Sequence, residues 1–587
     1  MRAMRPLAAS LVVTLVTVHA GFGMVAPDPS RPEVAVEQPM NASDVGGGET
    51  ETASPRGHAR RARGHRQPDR GRRRSLGPSQ DGDQNEVPEP YFAARVVGER
   101  VEVEGVRECR LGHQLPTSNG KRPDGVYAGW SWDGSRLELS TDRYGLYPVY
   151  YFADDRRVVV STSLSTLLAC GAPRELDDAA LAVFLRLGCF VGDDTPFKAI
   201  RTAPPDADFV WRPGALRVEG RLVIGKTQGL TREEALDAYV ALFARAIERR
   251  LDTTADGVVV PLSGGQDSRH IALELARTGH APDSTVTVRY HPPRRDEVVE
   301  AGAVAAHVGV PHVALGQTRS LFETTRRAIA RQNLCSLEHS WIFALVDHVR
   351  GRVGTLYDGI GGDVLSAGLF LDAATLALFE SNRLGALADH LLGRRSILRL
   401  PAGPLGHRLK HDVAVERLRR ELERHVDAPN PVGSFHFWNR TRRCIAQSGY
   451  RLIQDVPRVL SPYLDHELFD LLAGLPASML LDHQFHAQAI ARGYPEAASI
   501  PYARKPSYVP GGSRAMTALG RQMLASTLRR SPSRMVSEGY LLPRLARCLV
   551  DREYAVSAHW FEREALYLWA LEDALDDDAT GQQGGRA

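Results

Sequence analysis

The apolar residues of this chain change their spacing partway along it. Between Tyr91 and Ile224 they recur at every second position in short runs (YFAARVV, VEVEGV, GVYAGWSW, RLELSTD, VYYFAD, RVVVSTS, DFVWR, LRVEG), separated by Gly, Asp and Pro. That period, with turn residues between the runs, predicts a mostly β unit holding one or two helices, such as Asp177 to Arg186. After a linker near Lys226 the spacing becomes helical. Thr231 to Glu234 reads as a capping box, and Leu236, Tyr239, Val240, Phe243 and Ile247 share one face. Strand and helix then alternate: strand Val258 to Leu262, helix Ser268 to Arg277 ending at Gly279, strand Thr285 to Arg289, helix Asp296 to His307 ending at Gly309, and a short strand near Val313. Continuous apolar strands joined through helices imply a parallel sheet with crossover connections. Beyond Ala373 the pattern is mainly helical, up to a polar tail after Asp576, and no internal repeat is visible.

Length and composition narrow the picture. A chain of 587 residues is too long for one ordinary core, and 43% hydrophobic with 24% charged residues is the balance of a globular protein. The net charge is only +3, much of it from one arginine-rich segment, so nucleic acid is not the implied partner. Six cysteines are scattered without a CxxC pair, which reads as a reduced chain without metal-thiolate chemistry. The first residues complicate this. Arg2 and Arg5 precede an apolar run, Leu7 to Ala26, that looks like a signal peptide or an anchor, and a Gly/Pro/Ser/Arg-rich stretch continues to Pro88. The expected divisions are thus 1–88 as an apolar segment and disordered linker, 89–225 as the β-rich domain, 226–576 as the α/β domain, and 577–587 as a disordered tail.

Chemistry concentrates in PLSGGQDSRH, Pro261 to His270. In a parallel sheet, ligands bind off the carboxyl ends of strands, where loops run into helix N-termini. Gly264 and Gly265 let a backbone approach a ligand closely, Ser263 and Ser268 add hydroxyls, and the amides opening the helix face an anion. Asp267 inside such a phosphate cradle makes sense if a divalent cation bridges its carboxylate to the phosphates. The loop is neither a Walker motif nor GxGxxG.

SGGQDS resembles the pyrophosphate loop of the N-type ATP pyrophosphatases, and three further stretches narrow the likeness to asparagine synthetase and its relatives. LYDGIGGDVLSAG (Leu356 to Gly368) resembles the family's SGxGxDE segment. SPYLDHELFDLLAGLPASMLL (Ser461 to Leu481) resembles its PFLD-helix-LP segment. TDRYGLYPVYYF, STSLSTLLACGAPRELDDAALAVFL and TPFKAIRTAPP are similar to its glutaminase-like domain. The resemblance implies an α/β protein, with an Ntn-hydrolase-like β-rich sandwich followed by a PP-loop parallel-sheet synthetase domain and a helical C-terminal half. It also implies ATP and Mg²⁺ as cofactors, with Asp267 and Asp363 as the magnesium ligands. Leu262, Ser263, Gly264, Gly265, Gln266, Ser268, Val288, Gly361, Gly362 and Glu297 would lie around the nucleotide. Lys505 would stabilise the α-phosphate and the intermediate.

The pattern breaks in three places, one of them near Arg458, where the family's E-x-R-x-PFLD is kept only over Pro462 to Asp465. Glutamine-dependent members open on a cysteine whose own amino group acts as base, and Cys109 is internal, so glutamine hydrolysis is not expected. Three positions before Asp363, asparagine synthetases carry a glutamate and β-lactam synthetases a tyrosine; here the residue is Ile360, which can transfer no proton. These departures point to the branch of β-lactam synthetases and lasso-peptide macrolactam cyclases. The expectation is a ligase joining a carboxylate to an amine within a small molecule or peptide, with asparagine synthesis and a nucleotide- or peptide-binding pseudoenzyme as the alternatives. ATP chemistry places the folded part in the cytoplasm. Residues 1–88 then represent a wrongly assigned start or an anchor, which leaves contact with a membrane open.

Overall fold

Two antiparallel sheets carry the first part of the chain. The computed structural model describes residues 89–116, 122–251, 257–290, 297–393, 399–503 and 514–581. The expectations for residues 1–88 therefore lie outside the described residues, as does the chain beyond Gly581, where the last helix, His559–Gly581, ends. Ten strands form the two sheets: β1 (Tyr91–Val97), β2 (Arg100–Gly105), β3 (Glu108–Leu115), β4 (Asp124–Trp132), β5 (Leu137–Thr141), β6 (Tyr150–Ala153), β7 (Arg157–Ser161), β8 (Arg201–Thr202), β9 (Asp208–Arg212) and β10 (Ala215–Glu219). Their orders are β2-β1-β7-β6-β8 and β10-β9-β5-β4-β3. Phe92, Val158 and Val160 of the first sheet meet Trp130, Leu139, Phe209 and Trp211 of the second in one core cluster, as alternation requires of a sandwich.

The TDRYGLYPVYYF stretch is structural here. The Asp142 carboxylate accepts hydrogen bonds from the amides of Tyr144 (2.8 Å), Leu146 (3.2 Å) and Tyr127 (3.3 Å), which fixes the turn. Strand β3 was not expected from the sequence, because its apolar positions are broken by Gly112, His113 and Gln114; it pairs with β4 along its full length.

The α/β part follows the predicted order. The capping box at Thr231 is present, with both of its reciprocal hydrogen bonds, at the head of helix Arg232–Glu248. Strands β11 (Val258–Pro261), β12 (Ser284–Val288), β13 (His312–Leu315), β14 (Thr355–Tyr357) and β15 (Arg458–Leu460) form one sheet in the order β13-β12-β11-β14-β15, and every pair in it is parallel. Helices Asp267–Arg277 and Val298–His307 make the crossovers. β15 lies in a region whose pattern reads as helix only, because a three-residue strand is too short to show a period.

Before β15 the chain winds as a π-helix over Phe437–Ile445 and Gln447–Leu452, a rare form usually confined to one turn at functional sites. One side of it is welded to the sandwich. Arg442 donates to the carbonyls of Gly192 (3.2 Å) and Ala203 (2.8 Å), Arg443 to those of Gly192 and Asp194 (2.7 Å each), and Asn439 accepts from the Gly192 amide (2.8 Å).

A second weld is ionic. Arg250, fully buried, donates to both carboxylate oxygens of Asp124 in β4 (3.1 Å) and to Asp465 (3.0 Å), which Arg249 also grips at 2.9 Å. Removing one member of a buried ionic group leaves the others uncompensated, at a cost of about 3–5 kcal/mol. Arg250→Met is therefore expected to lower the urea unfolding midpoint by a stability loss of about that size. A midpoint equal to that of the unchanged chain would show that water reaches the cluster.

Candidate active site

The pairing of β11 with β14, Val258 opposite Thr355 and Val259 opposite Leu356, brings the loops that follow them to the same edge of the sheet. The loop after β11 holds Ser263 to Ser268, and the loop after β14 holds Asp358 to Asp363. Leu262 hydrogen-bonds across to β12 through its amide on Val286 (2.8 Å) and its carbonyl from Thr287 (2.5 Å), so the first loop starts from a fixed point, with Val288 buried at the end of the neighbouring strand.

Inside the first loop the Ser268 hydroxyl accepts from the Ser263 amide (3.0 Å) and lies 3.1 Å from the Ser263 hydroxyl, which in turn accepts from the Gly265 amide (3.2 Å). Glu297 comes to this loop from the start of the second crossover helix, and its carboxylate accepts from the Gly264 amide at 2.9 Å. Burial pushes the Glu297 carboxyl above its ordinary range, while the Gly264 amide opposes this. Gly264 and Gly265 differ in what their missing side chains allow. A Cβ on Gly264 would sit 2.4 Å from Ala503 Cβ and 3.1 Å from Glu300 Cβ, so its bare face is filled by the chain itself. A Cβ on Gly265 would meet only the Ser263 hydroxyl, at 3.2 Å, and this is the glycine whose backbone is open to a ligand.

Gln266 caps the following helix without a side-chain hydrogen bond, and Asp267 is its first residue. The second loop closes on Asp267. Cβ atoms built on Gly359 and Gly362 would stand 2.8 Å from Asp267 Cβ and 2.5 Å from Asp267 Oδ1. Gly361, at φ 91°, makes the left-handed turn that starts the short helix bearing Asp363. The two acids are thus brought together as expected, and a third, Asp358, joins them.

Sequence reasoning passed over Asp358, although it stands in the quoted DGIGGD. Its Oδ1 accepts from the amide of Ile360 (2.8 Å), whose own side chain is buried, and its Oδ2 would lie 3.3 Å from a Cβ on Gly449 of the π-helix. Burial, then the charges of Asp363 and Asp358, push the Asp267 carboxyl well above its ordinary value, and an Asp363 backbone hydrogen bond pulls it back. Asp363 is raised by burial against the nearby Arg440 charge, and Asp358 by burial and by Asp363.

These residues fit a cation. Asp267 Oδ1 is buried and has no hydrogen-bond partner among the described residues, and two further carboxyls stand beside it. Among the described residues no group of three or more His, Cys, Asp or Glu is arranged as a metal cage. Two carboxylates beside an anion cradle match the way Mg²⁺ is held jointly by protein and phosphate, with no cage required.

Lys505 lies outside the described residues. The segment leading to it is anchored at the first loop: the Ala503 amide donates to the Gly264 carbonyl (2.9 Å), and Arg269 donates to the carbonyls of Ile500 (2.8 Å) and Pro501 (2.7 Å) with its guanidinium 4.0 Å from the centre of the Tyr502 ring. All six cysteines are free thiols, buried or half-buried. Among the described residues no helix is long and apolar enough to cross a membrane.

Residues 238–446 match the asparagine synthase family, a span that starts in helix Arg232–Glu248, contains both loops and ends in the π-helix. The chain thus carries an asparagine synthase domain. Solved structures with a local likeness include glutamine phosphoribosylpyrophosphate amidotransferase from B. subtilis (10% identity, 33% of this chain, TM-score 0.14) and NMN synthetase from Francisella tularensis (13% identity, 36% of this chain and 93% of that one, TM-score 0.17). NAD+ synthetase from Burkholderia pseudomallei is another (14% identity, 47% of this chain and 92% of that one, TM-score 0.16). This chain spans 57% of the amidotransferase's length. No curated protein matches the chain.

Two outcomes follow from the crowding of the acids. A carboxyl whose folded pKa is raised stabilises the fold below its unfolded value, about 3.9, and that stability is lost as pH rises through the folded pKa. Without nucleotide or divalent cation, Asp267→Asn should therefore melt higher than the unchanged chain at pH 8, and the gain should vanish at about pH 4 and below; a gain of the same size at both pH values would contradict the repulsion. Gly362→Ala forces a methyl group against Asp267 and should cost about 1–3 kcal/mol, and an unchanged melting point would show that the two loops are looser than this.

Proposed function

We propose that this chain is an ATP-dependent ligase that joins a carboxylate to an amine. The observation that carries the reading is the convergence of Asp267, with its buried and unpartnered oxygen, and Asp363 on the anion cradle of an asparagine synthase domain. A carboxylate is a poor electrophile at neutral pH. In the proposed reaction its oxygen attacks the α-phosphate of ATP, the bond to the β-phosphate breaks and pyrophosphate leaves. An amine nitrogen then attacks the acyl carbon, the bond to AMP breaks, and the nitrogen loses a proton.

In this reading Asp267 and Asp363 hold Mg²⁺, which supplies charge neutralisation on the phosphates when bound. Ser263, Gly265, Gln266 and Ser268 present hydroxyls and amides to the pyrophosphate end, at a helix N-terminus where an anion is favoured. Leu262, Val288, Gly361 and Gly362 shape the walls. Glu297 holds the loop through the Gly264 amide, which makes it a support of the cradle. Lys505, two residues beyond the anchor at Ala503, is assigned to the α-phosphate and the intermediate.

Lactam or macrolactam formation within one substrate, a small molecule or a peptide, is the preferred form. One observation supports it. Ile360, buried with its amide on Asp358, removes the acid that asparagine synthetases carry at that position. In this reading, consumption of ATP is the ground for assigning the enzyme to the cytoplasm.

Pyrophosphate release by the full chain with Mg-ATP tests this. Release is expected with a substrate carrying both carboxylate and amine, and should fall by about 10²-fold or more in Asp267→Ala or Asp363→Ala. Release with aspartate and ammonia or glutamine would make it an asparagine synthase instead, and silence with every acceptor would make it a binding protein.

A further inference from the structure

Behind the two acid-bearing loops lies a buried polar cluster that the reaction does not use. His486, in helix Phe485–Gly493, has no exposed surface. Its Nδ1 lies 3.0 Å from the Ser366 hydroxyl and 3.3 Å from Asp267 Oδ1. Its Nε2 lies 3.3 Å from both His270 Nδ1 and the Tyr463 hydroxyl. Ser366 ends the short helix that begins at Gly362, next to Asp363.

The hydrogen-bond directions follow from counting protons. Ser366 donates its one proton to the Gly362 carbonyl (2.7 Å), so its oxygen accepts from Tyr239 (3.0 Å) and from His486. The His486 proton therefore sits on Nδ1 and points at Ser366. Asp267 Oδ1, beside the same nitrogen, keeps its lone pairs, in agreement with its lack of a hydrogen-bond partner. Tyr463 donates to the Asp267 backbone carbonyl (3.1 Å) and holds the same residue from a second side. One ring thus touches the Asp267 carboxylate and, through Ser366, the segment that carries Asp363.

We infer that His486 is a positioning residue: its ring is a strut between the two acid loops and sets the separation at which Asp267 and Asp363 take a divalent cation together. The inference rests on the reading of those acids as the cation ligands. Partners behind metal ligands typically contribute 10–100-fold in metal affinity.

The test is Mn²⁺ binding to the full chain in the presence of α,β-methylene-ATP, followed by calorimetry, with melting recorded for each variant. His486→Phe keeps the ring but loses both nitrogens, and should weaken Mn²⁺ binding about 10–100-fold. Asparagine carries its amide nitrogen where histidine carries Nδ1, and glutamine carries its own further out, so His486→Asn should restore most of the affinity and His486→Gln little. Packing alone ranks these two the other way, since glutamine fills the space better. Ser366→Ala cuts the strut at its other end and should weaken binding similarly, and it decides the matter if the His486 variants do not fold. Mn²⁺ binding that needs Asp267 but is unchanged by His486→Phe or by Ser366→Ala would overturn the strut alone. Absence of binding in the unchanged chain, or binding that survives Asp267→Ala, would overturn the assignment of the acids and the strut with it.

Discussion

The structure depends on holding like charges together. Strands β11 and β14 are direct neighbours, and each ends in a loop that delivers carboxylates to one edge of the sheet. Burial raises the cost of ionising Asp267, Asp358 and Asp363 there, and repulsion among them adds to it. Such a cluster persists only where the surrounding chain leaves it no way to relax. Gly359 and Gly362 admit Asp267 to a space that any side chain would close, Tyr463 fixes its backbone, and the Ile360 amide ties down Asp358. The strain is local, and the stability that supports it comes from elsewhere.

Much of that support comes from the sandwich. In this chain it acts as a brace for the α/β part, through buried side chains that bond to backbone groups across the boundary from both sides. Arg442 and Arg443 reach the loop around Gly192 to Asp194, Arg186 reaches the Leu409 carbonyl, and Asn333 bonds to the amide of Leu164 and the carbonyl of Thr162. A guanidinium taken out of water needs its donors matched, and backbone carbonyls at fixed positions do this with directional specificity.

Local signals in the sequence revealed a good part of this. Alternation located most strands of the sandwich, the capping box at Thr231 was readable from four residues, and the SGGQDS turn between an apolar strand and a helical pattern marked the first loop. Asp363 is marked by the likeness of LYDGIGGDVLSAG to a family motif. Other features left no local trace. β3 hides its alternation behind glycine and polar residues, and β15 is only three residues long. Asp358 reads as an ordinary turn acid until the sheet order brings β14 beside β11. His486 was invisible for the same reason: its role is defined by a contact with Asp267, more than two hundred positions earlier in the chain.

The π-helix has a further consequence. Its i→i+5 winding lets one continuous segment face two ways, with Asn439, Arg442 and Arg443 turned into the sandwich, Ser448 2.7 Å from His339, and Gly449 against Asp358. The two faces are phased by residue count alone, since no loop between them can absorb a change. Adding or removing one residue between Arg443 and Ser448 would rotate one face against the other. The segment should therefore accept substitutions far more readily than changes of length.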